Sequence, residues 1–468
     1  MTFDHDTIPL LAEALRSLDR GFDRLPGVAP GFERGGAPSL APGLVGGPLP
    51  GIDRGRLRDA LLAAAERLRQ DLPYHHPLYM GQMLKPPHPV ARLAYALAMW
   101  LNPNNHALDG GLASSAMEKE AIARIARMCG WETHLGHLCG GGTMANFEAL
   151  WVSRELRPGR AIAASTQAHF TQSRLSAVLG VPFRAIPVDM QGRMDTGRLE
   201  EALAAGGIGT VVATLGTTGA GAVDPLPEIL AMARRHDVRV HVDAAYGGYF
   251  TLAGNLDGAT RRAFDAMRQA DSIVIDPHKH GLQPYGCGCV LFRDPGVARF
   301  YLHDSPYTYF SSDELHLGEI SLECSRPGAA AVALWTTLQL LPLEPGGDYA
   351  RGLEACREAA LALHEALAAD ERFAVPFPPR LDIVIGALRA RSAGESSARA
   401  RRVFDAAARA DLHLALARFP RAMLEPAAPV EVWDADTIVC LRACVMKPEH
   451  RAWMPEILTR LRAALDEA

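Results

Sequence analysis

From about residue 112 onward, short apolar runs alternate along the chain with segments whose apolar residues recur at helical spacing. The runs TVVATLG (210–216), VRVHVDA (238–244) and SIVIDP (272–277) have the length and composition of buried strands. Between them lie segments such as LPEILAMARRHD (226–237), whose apolar positions favour a helix. This alternation predicts an α/β fold with a mostly parallel central sheet and flanking helices.

The N-terminal part of the chain has a different texture. Apolar residues from Ile8 to Leu18 recur at helical spacing and predict a helical segment. Residues 25–51 follow, and their density of proline and glycine argues against regular structure. We interpret residues 1–75 as an N-terminal helical arm with a linker, which is either disordered or wraps a partner subunit.

The C-terminal part changes again, to short strand candidates placed between helices. These candidates are the strands LDIVIGAL (381–388) and DTIVCLRACV (436–445) and the helices 397–410 and 454–466. This texture predicts a small C-terminal α+β domain over residues 346–468, preceded by a large domain over residues 76–345.

Composition excludes several classes of partner. Of the 468 residues, 48% are hydrophobic, as in an ordinary globular protein. The formal net charge is -5, so the chain lacks the excess of basic residues on which nucleic-acid binding relies. No apolar run approaches the length of a membrane span, and the acidic N-terminus is unlike a secretory or transit peptide. We therefore expect a cytoplasmic protein without nucleic-acid or membrane partners, whose eight cysteines are thiols.

Candidate chemistry lies directly after the apolar runs, where open parallel sheets bind ligands. Asp243 follows one run, and Lys279 follows another within DPHKH. Thr218 lies just after a third run. Upstream, GGGTMANF (140–147) is a glycine-rich turn that opens a helix, whose free N–H groups suit a phosphate.

Each of these features is weak alone, but together they predict a pyridoxal phosphate site. Lys279 would form a Schiff base with the cofactor, and Asp243 would keep the pyridine nitrogen protonated so that the ring accepts electrons. Ala245 is small, which lets a flat ring lie against it. The site holds no metal in this interpretation.

At these motifs the sequence resembles the group II pyridoxal phosphate-dependent amino acid decarboxylases of fold type I, and is most similar in motif form to the archaeal tyrosine/aspartate decarboxylase subgroup. The motifs that carry the resemblance are GGTMANFEAL, STQAHFTQSR, TLGTTGAGAVDP, HVDAAYGG and DPHKHG, within residues 76–345. The resemblance implies decarboxylation of an aromatic or acidic L-amino acid by a cytoplasmic homodimer with shared active sites. It implies that the cofactor is bound by Gly142, Thr143, His169, Thr218, Asp243, Ala245, His278 and Lys279, with His169 stacked on the ring.

The resemblance also implies residues for the substrate. Tyr307 or Tyr309 would donate a proton to the substrate carbon, although both could instead be packing aromatics. Arg326 would bind a substrate carboxylate, and the alternative is a structural ion pair. The implied pocket-lining residues of the segment HHPLYMGQML are His76, Tyr79 and Gln82.

Three alternatives remain open from the sequence. Within enzymes, aldehyde-lyase chemistry of the sphingosine phosphate lyase kind or transamination could use the same scaffold. A metal or redox site would use the HKHGLQPYGCGC run, although its C-x-C and H-x-H spacings fit no familiar zinc geometry. A pseudoenzyme that binds the cofactor only as a scaffold is disfavoured because Lys279 and Asp243 are both present.

Overall fold

The structure is a computed structural model that describes residues 9–14, 53–106, 108–302 and 317–468. Residues 9–14 are helical, within the segment for which the sequence predicts a helix. The predicted linker over residues 25–51 lies outside the described residues. No helix within the described ranges is long and apolar enough to cross a membrane.

A seven-stranded sheet forms the centre of the fold and has the order β1-β7-β6-β5-β4-β2-β3. Its strands are β1 (Leu135–Cys139), β2 (Ala161–Ser165), β3 (Phe183–Ile186), β4 (Ile208–Thr214), β5 (Arg239–Asp243), β6 (Ser272–Ile275) and β7 (Gly288–Phe292). Strand β7 runs antiparallel to both of its neighbours, whereas the pairs from β6 to β3 are parallel. The predicted α/β fold with a mostly parallel sheet is therefore confirmed.

The α-helices of this part flank the sheet or precede it. They are Arg54–Leu68, Pro89–Met99, Leu108–Met128, Gly142–Leu156, Thr171–Val178, Thr196–Ala204, Leu226–Arg235, Gly258–Asp265 and Gly328–Leu340. Several begin where the sequence supplies a capping carboxylate: Asp195 accepts from Arg198 N, and Asp257 accepts from Ala259 N and Thr260 N. Between them the apolar faces of sheet and helices form a large core that includes Val242, Ile273 and Phe250.

The C-terminal part contains a second sheet, of four antiparallel strands in the order β11-β13-β9-β8. Its strands, with the short parallel pair β10–β12, are β8 (Phe373–Ala374), β9 (Ile383–Leu388), β10 (Ala390–Ser392), β11 (Ala415–Pro420), β12 (Val430–Val432) and β13 (Thr437–Cys444). The helices of this part are Asp348–Ala368, Ala393–Arg409, Arg421–Leu424 and His450–Glu467. The strand and helix candidates named from the sequence here coincide with observed elements.

The helix Asp348–Ala368 connects the two parts. Tyr349 and Leu353 in its first half pack in the core of the large sheet, and Leu363 in its second half packs in the C-terminal core. The C-terminal core also contains Leu78 and Met80, although the sequence places these residues in the large domain. Backbone hydrogen bonds from Met80 N to His413 O, from His413 N to Leu78 O and from Cys444 N to Met80 O hold the segment there. The proposed domain boundaries stay a prediction.

The strand order determines where a site can form. Because β4, β5 and β6 are parallel neighbours, their carboxyl ends meet at one edge of the sheet. The register pairs Thr214 with Asp243 and Asp243 with Val274, so the residues that follow the three strands lie side by side.

Candidate active site

A cavity of about 670 Å³ opens at this edge of the sheet. Its wall includes eight residues predicted from the sequence: Gly142, Thr143, His169, Thr218, Asp243, Ala245, His278 and Lys279. The structure therefore brings together side chains that are up to 137 positions apart in the chain. Their roles follow from the contacts that each one makes.

The glycine-rich turn lies between β1 and the helix Gly142–Leu156. Gly141 has a φ of +142°, which an L side chain rarely adopts, and no side chain caps the helix N-terminus. A Cβ on Gly288 of β7 would lie 2.5 Å from Gly141 C, so the strand approaches the turn too closely for a side chain. The turn thus leaves backbone N–H groups directed at the cavity, as a phosphate requires. One of them, Gly140 N, donates to Glu323 Oε2 at 2.9 Å.

Lys279 lies four residues after β6, on the cavity wall. Its Nζ is 2.9 Å from Asp276 Oδ2, and the Asp276 side chain is 2% exposed. The Asp276 carboxylate also lies against the helix N-terminus, since a Cβ on Gly142 would be 2.6 Å from the same oxygen. The amine is thereby held at the cavity, and the Lys279 side chain as a whole remains 21% exposed.

Asp243 ends β5, and polar contacts orient its carboxylate. Gln172 Nε2 donates to Oδ2 at 2.8 Å, and Ala245 N donates to Oδ1 at 3.2 Å. Gln172 Nε2 also donates to Asn146 Oδ1 at 2.8 Å, and His241 Nε2 lies 3.0 Å from that same oxygen. Burial lowers the pKa of His241 to about 4, so this imidazole is neutral at pH 7 and donates to the amide. The network fixes the direction of a carboxylate that is 5% exposed.

Two histidines border the cavity at opposite places. His169 Nδ1 lies 2.8 Å from Thr171 Oγ1, and burial lowers the His169 pKa. His278 lies beside the glycine turn, since a Cβ on Gly141 would be 3.2 Å from His278 Cε1. Burial lowers the His278 pKa as well. Its Nδ1 is buried and has no hydrogen-bond partner within the described part of the chain.

The substrate residues implied near the N-terminus lie outside this wall. The ring of His76 packs edge-on against Trp453, with centroids 4.8 Å apart. Tyr79 is buried, and its hydroxyl accepts from Gln82 N at 3.2 Å. None of the three lines the cavity among the described residues. Gln82 lies near the rim of the cavity, because Arg442 connects its neighbour Gly81 to the cavity wall. Arg442 donates to the Gly81 carbonyl at 3.4 Å and to the carbonyl of Thr218, a lining residue, at 2.6 Å.

Arg326 is buried in an ion pair. Its Nη1 donates to Glu118 Oε1 at 2.7 Å and also to the Leu138 carbonyl, and its Nη2 donates to the Asn105 carbonyl at 3.2 Å. The side chain is 4% exposed and does not line the cavity in the described structure. This geometry matches the second of the two interpretations that the sequence allowed for Arg326, a structural ion pair. Tyr307 and Tyr309 lie outside the described residues.

The four residues of the metal-site alternative do not converge. His280 Nε2 lies 3.0 Å from Asp382 Oδ2, whereas His278 lies over Tyr285 with ring centroids 4.8 Å apart. Cys287 and Cys289 are buried, and burial raises the pKa of both thiols. No cluster of His, Cys, Asp or Glu within the described ranges could hold a metal ion.

Several site residues were not found from the sequence. Gln172 and Asn146 orient Asp243, Glu323 lies at the glycine turn, and Arg442 connects the C-terminal sheet to the cavity. Gln172 could have been found, because it lies three residues after His169 at the start of the next helix. Arg442 had no such signal, since its role depends on the packing of the C-terminal sheet.

The residues present fit pyridoxal phosphate. The free N–H groups of the glycine turn and the unpartnered His278 Nδ1 suit the phosphate. The missing Cβ atoms of the turn let the side chains of Glu323, His278 and Asp276 pack close to it. Asp243 and Lys279 supply the carboxylate and the amine, and the 670 Å³ cavity accommodates a cofactor with a substrate.

Comparison with known proteins gives the same assignment. Residues 143–389, more than half of the chain, match the pyridoxal-dependent decarboxylase conserved domain. A probable L-tyrosine/L-aspartate decarboxylase of Methanothermobacter thermautotrophicus is 29% identical over 263 residues, covering 56% of this chain and 70% of that protein. The L-aspartate decarboxylase of Thermococcus kodakarensis is 30% identical over 288 residues, covering 60% and 73%.

Solved structures match over nearly the whole chain. The structure of mouse CSAD in apo form has a TM-score of 0.75 at 20% identity and covers 97% of this chain and 99% of that one. Oryza sativa TDC with PLP and tryptamine has a TM-score of 0.74 at 19% identity and covers 99% of both chains.

The fold and the cavity together define a pyridoxal phosphate-dependent enzyme of fold type I. The chain belongs to the pyridoxal-dependent decarboxylase family, and it is a carboxy-lyase that removes CO2 from an amino acid. The resemblance stated from the motifs is thus confirmed, as is the cofactor. Decarboxylation takes precedence over the aldehyde-lyase and aminotransferase alternatives.

The network around Asp243 leads to a prediction. Gln172→Leu should reduce kcat/KM about tenfold or more, since a hydrogen bond to a buried carboxylate is lost. The visible absorbance of the bound cofactor should also change its pH dependence, which a loss of folding alone would not produce. Ser173→Ala is the matched control, because Ser173 is exposed and bonds only locally, to Phe170 O. An unchanged pH profile in Gln172→Leu would mean that Gln172 does not position the carboxylate.

Proposed function

We propose that this enzyme decarboxylates an aromatic or acidic L-amino acid with Lys279, Asp243 and His169 in the central roles. The observation that carries this proposal is the convergence of Lys279, Asp243 and the glycine turn on one cavity. The cofactor, when bound, supplies a ring that takes up the negative charge left at Cα. Lys279 would bind its aldehyde, and Asp243 would hold a proton on its ring nitrogen.

His169 would contribute by its neutrality. Burial lowers the pKa of His169 below its ordinary value, so its imidazole is mostly neutral at pH 7. A neutral ring can stack on the cofactor and orient the departing carboxylate without stabilising its charge strongly. Thr171 Oγ1, 2.8 Å from His169 Nδ1, would fix the orientation of the imidazole.

The turn and its neighbours would anchor the phosphate. Gly142 and Thr143 begin the helix whose N–H groups face the cavity, and His278 Nδ1 can donate to an oxygen there. Thr218 and Ala245 would complete the cofactor's surroundings. Tyr307 or Tyr309 remains our proposal for the group that returns a proton to Cα.

The cavity wall bears on the substrate class. Met144, Phe147 and Leu175 offer apolar contacts, which suit an aromatic side chain. Lys279 is the only lysine or arginine among the described lining residues, so an acidic side chain would meet no further such cation there. His76, Tyr79 and Gln82 stay candidates for the outer part of the site.

Release of CO2 over a panel of amino acids tests this proposal. We expect turnover of L-tyrosine or L-tryptophan to exceed that of L-aspartate and L-glutamate. The panel should include L-2,4-diaminobutyrate, the substrate named for a relative from Acinetobacter baumannii. Release of CO2 from L-2,4-diaminobutyrate alone, or from none of these amino acids, by protein with bound cofactor would contradict the proposal.

We also propose a cytoplasmic homodimer. The helix Arg54–Leu68 contains no buried residue in one chain. Its apolar side chains Leu61 and Leu68 are 62% and 66% exposed. Exposed leucines on such a helix are typical of a surface that packs against another chain. All eight cysteines are free thiols, as a reducing compartment would leave them.

Light scattering tests the homodimer directly. At micromolar concentration we expect about twice the 50.4 kDa mass of one chain. Leu61→Glu with Leu68→Glu should weaken the association, because two charges would be buried at the interface. Arg56→Glu, an exposed residue on the other side of the same helix, is the control for the added charge. An active monomer would contradict the proposal.

A further inference from the structure

A second cavity has a volume of about 250 Å³ and shares no lining residue with the active-site cavity. It is bounded by residues 85–89, by residues 348–356 in the first half of the helix Asp348–Ala368, and by residues 447–449, which precede the helix His450–Glu467. Lys85, Lys447 and His280 are among its lining residues. The cavity is therefore rich in basic groups, and none of the roles described above uses it.

The lysines are notable because this chain hardly uses lysine. Of its 48 lysines and arginines only four are lysines: Lys85, Lys119, Lys279 and Lys447. Lys279 is the active-site amine, and two of the other three line this one cavity. Two compact ammonium groups thus line this cavity, whereas most cationic side chains of the protein carry a planar guanidinium group.

Among the described residues, the partners of the two ammonium groups leave part of their hydrogen-bonding capacity unused. Lys85 Nζ lies 3.5 Å from His280 Nδ1 and 3.4 Å from the Met446 carbonyl, which are both long contacts. Lys447 is 3% exposed, and its Nζ donates to the Tyr79 carbonyl at 2.6 Å. Each group has three protons to donate. Buried charges are normally paired, so the buried Lys447, next to the half-buried Lys85, leaves room for an additional anion.

The nearby carboxylates offset only part of that charge. The buried Asp382 carboxylate reaches Lys85 through the two nitrogens of the His280 ring, and the Lys85 charge contributes to the lowered pKa of Asp382. Asp382 Oδ2 lies 3.0 Å from His280 Nε2, and its Oδ1 accepts from the Tyr246 hydroxyl at 2.6 Å. Asp348 pairs with Arg351 and its side chain is 72% exposed. Glu449 is exposed as well.

Two helices begin at the cavity and add favourable dipoles. The N-terminus of Asp348–Ala368 follows Gly347 and that of His450–Glu467 follows Glu449, and neither has a side-chain cap. Uncapped N–H groups and the positive ends of the dipoles attract negative charge. Burial, followed by the charge of Lys85, lowers the pKa of Lys447 to about 8, and Glu449 opposes this shift. A bound anion would raise this pKa again, because it favours the charged form of the amine.

We propose that this cavity binds a small anion through a carboxylate or phosphate group, held between Lys85 and Lys447. A volume of about 250 Å³ admits such an anion but not a large ligand. The site is adjacent to the catalytic lysine in the chain, since His280 directly follows Lys279. It is also connected to the active-site wall through Asp382 and Tyr246.

Calorimetry on the enzyme with its cofactor bound tests the proposal at constant ionic strength. The titrants are inorganic phosphate and malonate, with chloride as the reference anion. We expect saturable binding of at least one of the two at millimolar or lower concentration, together with a rise in Tm that chloride does not give. The tighter of the two identifies the group that the site prefers.

Lys85→Met and Lys447→Met remove one ammonium group each and keep a similar side-chain length. Each should weaken binding about tenfold or more, the usual effect of losing a charged hydrogen-bond partner. Lys119→Met, on the exposed part of another helix, is the matched control and should bind as the wild type does. Wild-type protein that binds neither anion would overturn the proposal, whether or not the variants fold. Binding that persists unchanged in both cavity variants would overturn it equally.

Discussion

Lys279→Ala should abolish decarboxylation, with a fall in kcat of at least about a thousandfold, because the group that binds the cofactor covalently is lost. The visible absorbance of the lysine-bound cofactor should disappear with it. No other lysine lines the described wall of the cavity, so no second amine is placed to substitute. Absorbance spectra and CO2 release measured on the same sample check both effects.

Lys279→Arg removes the primary amine but keeps the positive charge. The guanidinium can keep the ion pair that Lys279 makes with the buried Asp276 carboxylate at 2.9 Å, but it is not a primary amine. Both variants should therefore be inactive, while Lys279→Arg should be the more stable of the two. Lys119→Ala is the control that removes a lysine elsewhere. A borohydride-reducible link to the cofactor in either Lys279 variant would refute the assignment.

The sequence predicted the centre of the fold well because that centre is locally encoded. The three apolar runs became β4, β5 and β6, with ends displaced by one or two residues. Their alternation with helices required parallel neighbours, which brings Asp243 and Lys279 to the same edge. Any parallel arrangement of these strands would have placed both residues at the same edge of the sheet, but they line one cavity because β5 and β6 are neighbours.

Other features depend on pairings between distant segments, and local patterns do not contain them. Strand β7 inserts antiparallel between β1 and β6, and nothing in its own residues specifies that position. Arg326 pairs with Glu118, which is 208 residues earlier in the chain, so its burial could not be read from its own surroundings. Likewise, Leu78 and Met80 pack on the C-terminal sheet because their backbone pairs with residues near 413 and 444.

The replacement Asp243→Asn tests the electrostatic role of the cofactor's partner. Asparagine has nearly the same shape as aspartate. Its carbonyl oxygen can take the place of Asp243 Oδ2, which accepts from Gln172 Nε2 at 2.8 Å in the wild type. The amide nitrogen would then take the place of Oδ1, where it can only donate. It would lose the hydrogen bond from Ala245 N and would no longer favour a proton on the ring nitrogen. Cofactor should still bind, but kcat should fall at least about a hundredfold, as on removal of other preorganised electrostatic partners.

Asp243→Glu is the matched variant, because it keeps the charge and disturbs the distance. If charge is the main contribution, Asp243→Glu should retain more activity than Asp243→Asn, although its longer side chain must displace Gln172. Cofactor content by absorbance and kcat on the best substrate distinguish weak binding from slow chemistry. Turnover of Asp243→Asn within a few-fold of wild type would mean that this carboxylate does not serve the ring nitrogen. The network of Gln172, Asn146 and His241 would then orient a residue with a structural role alone.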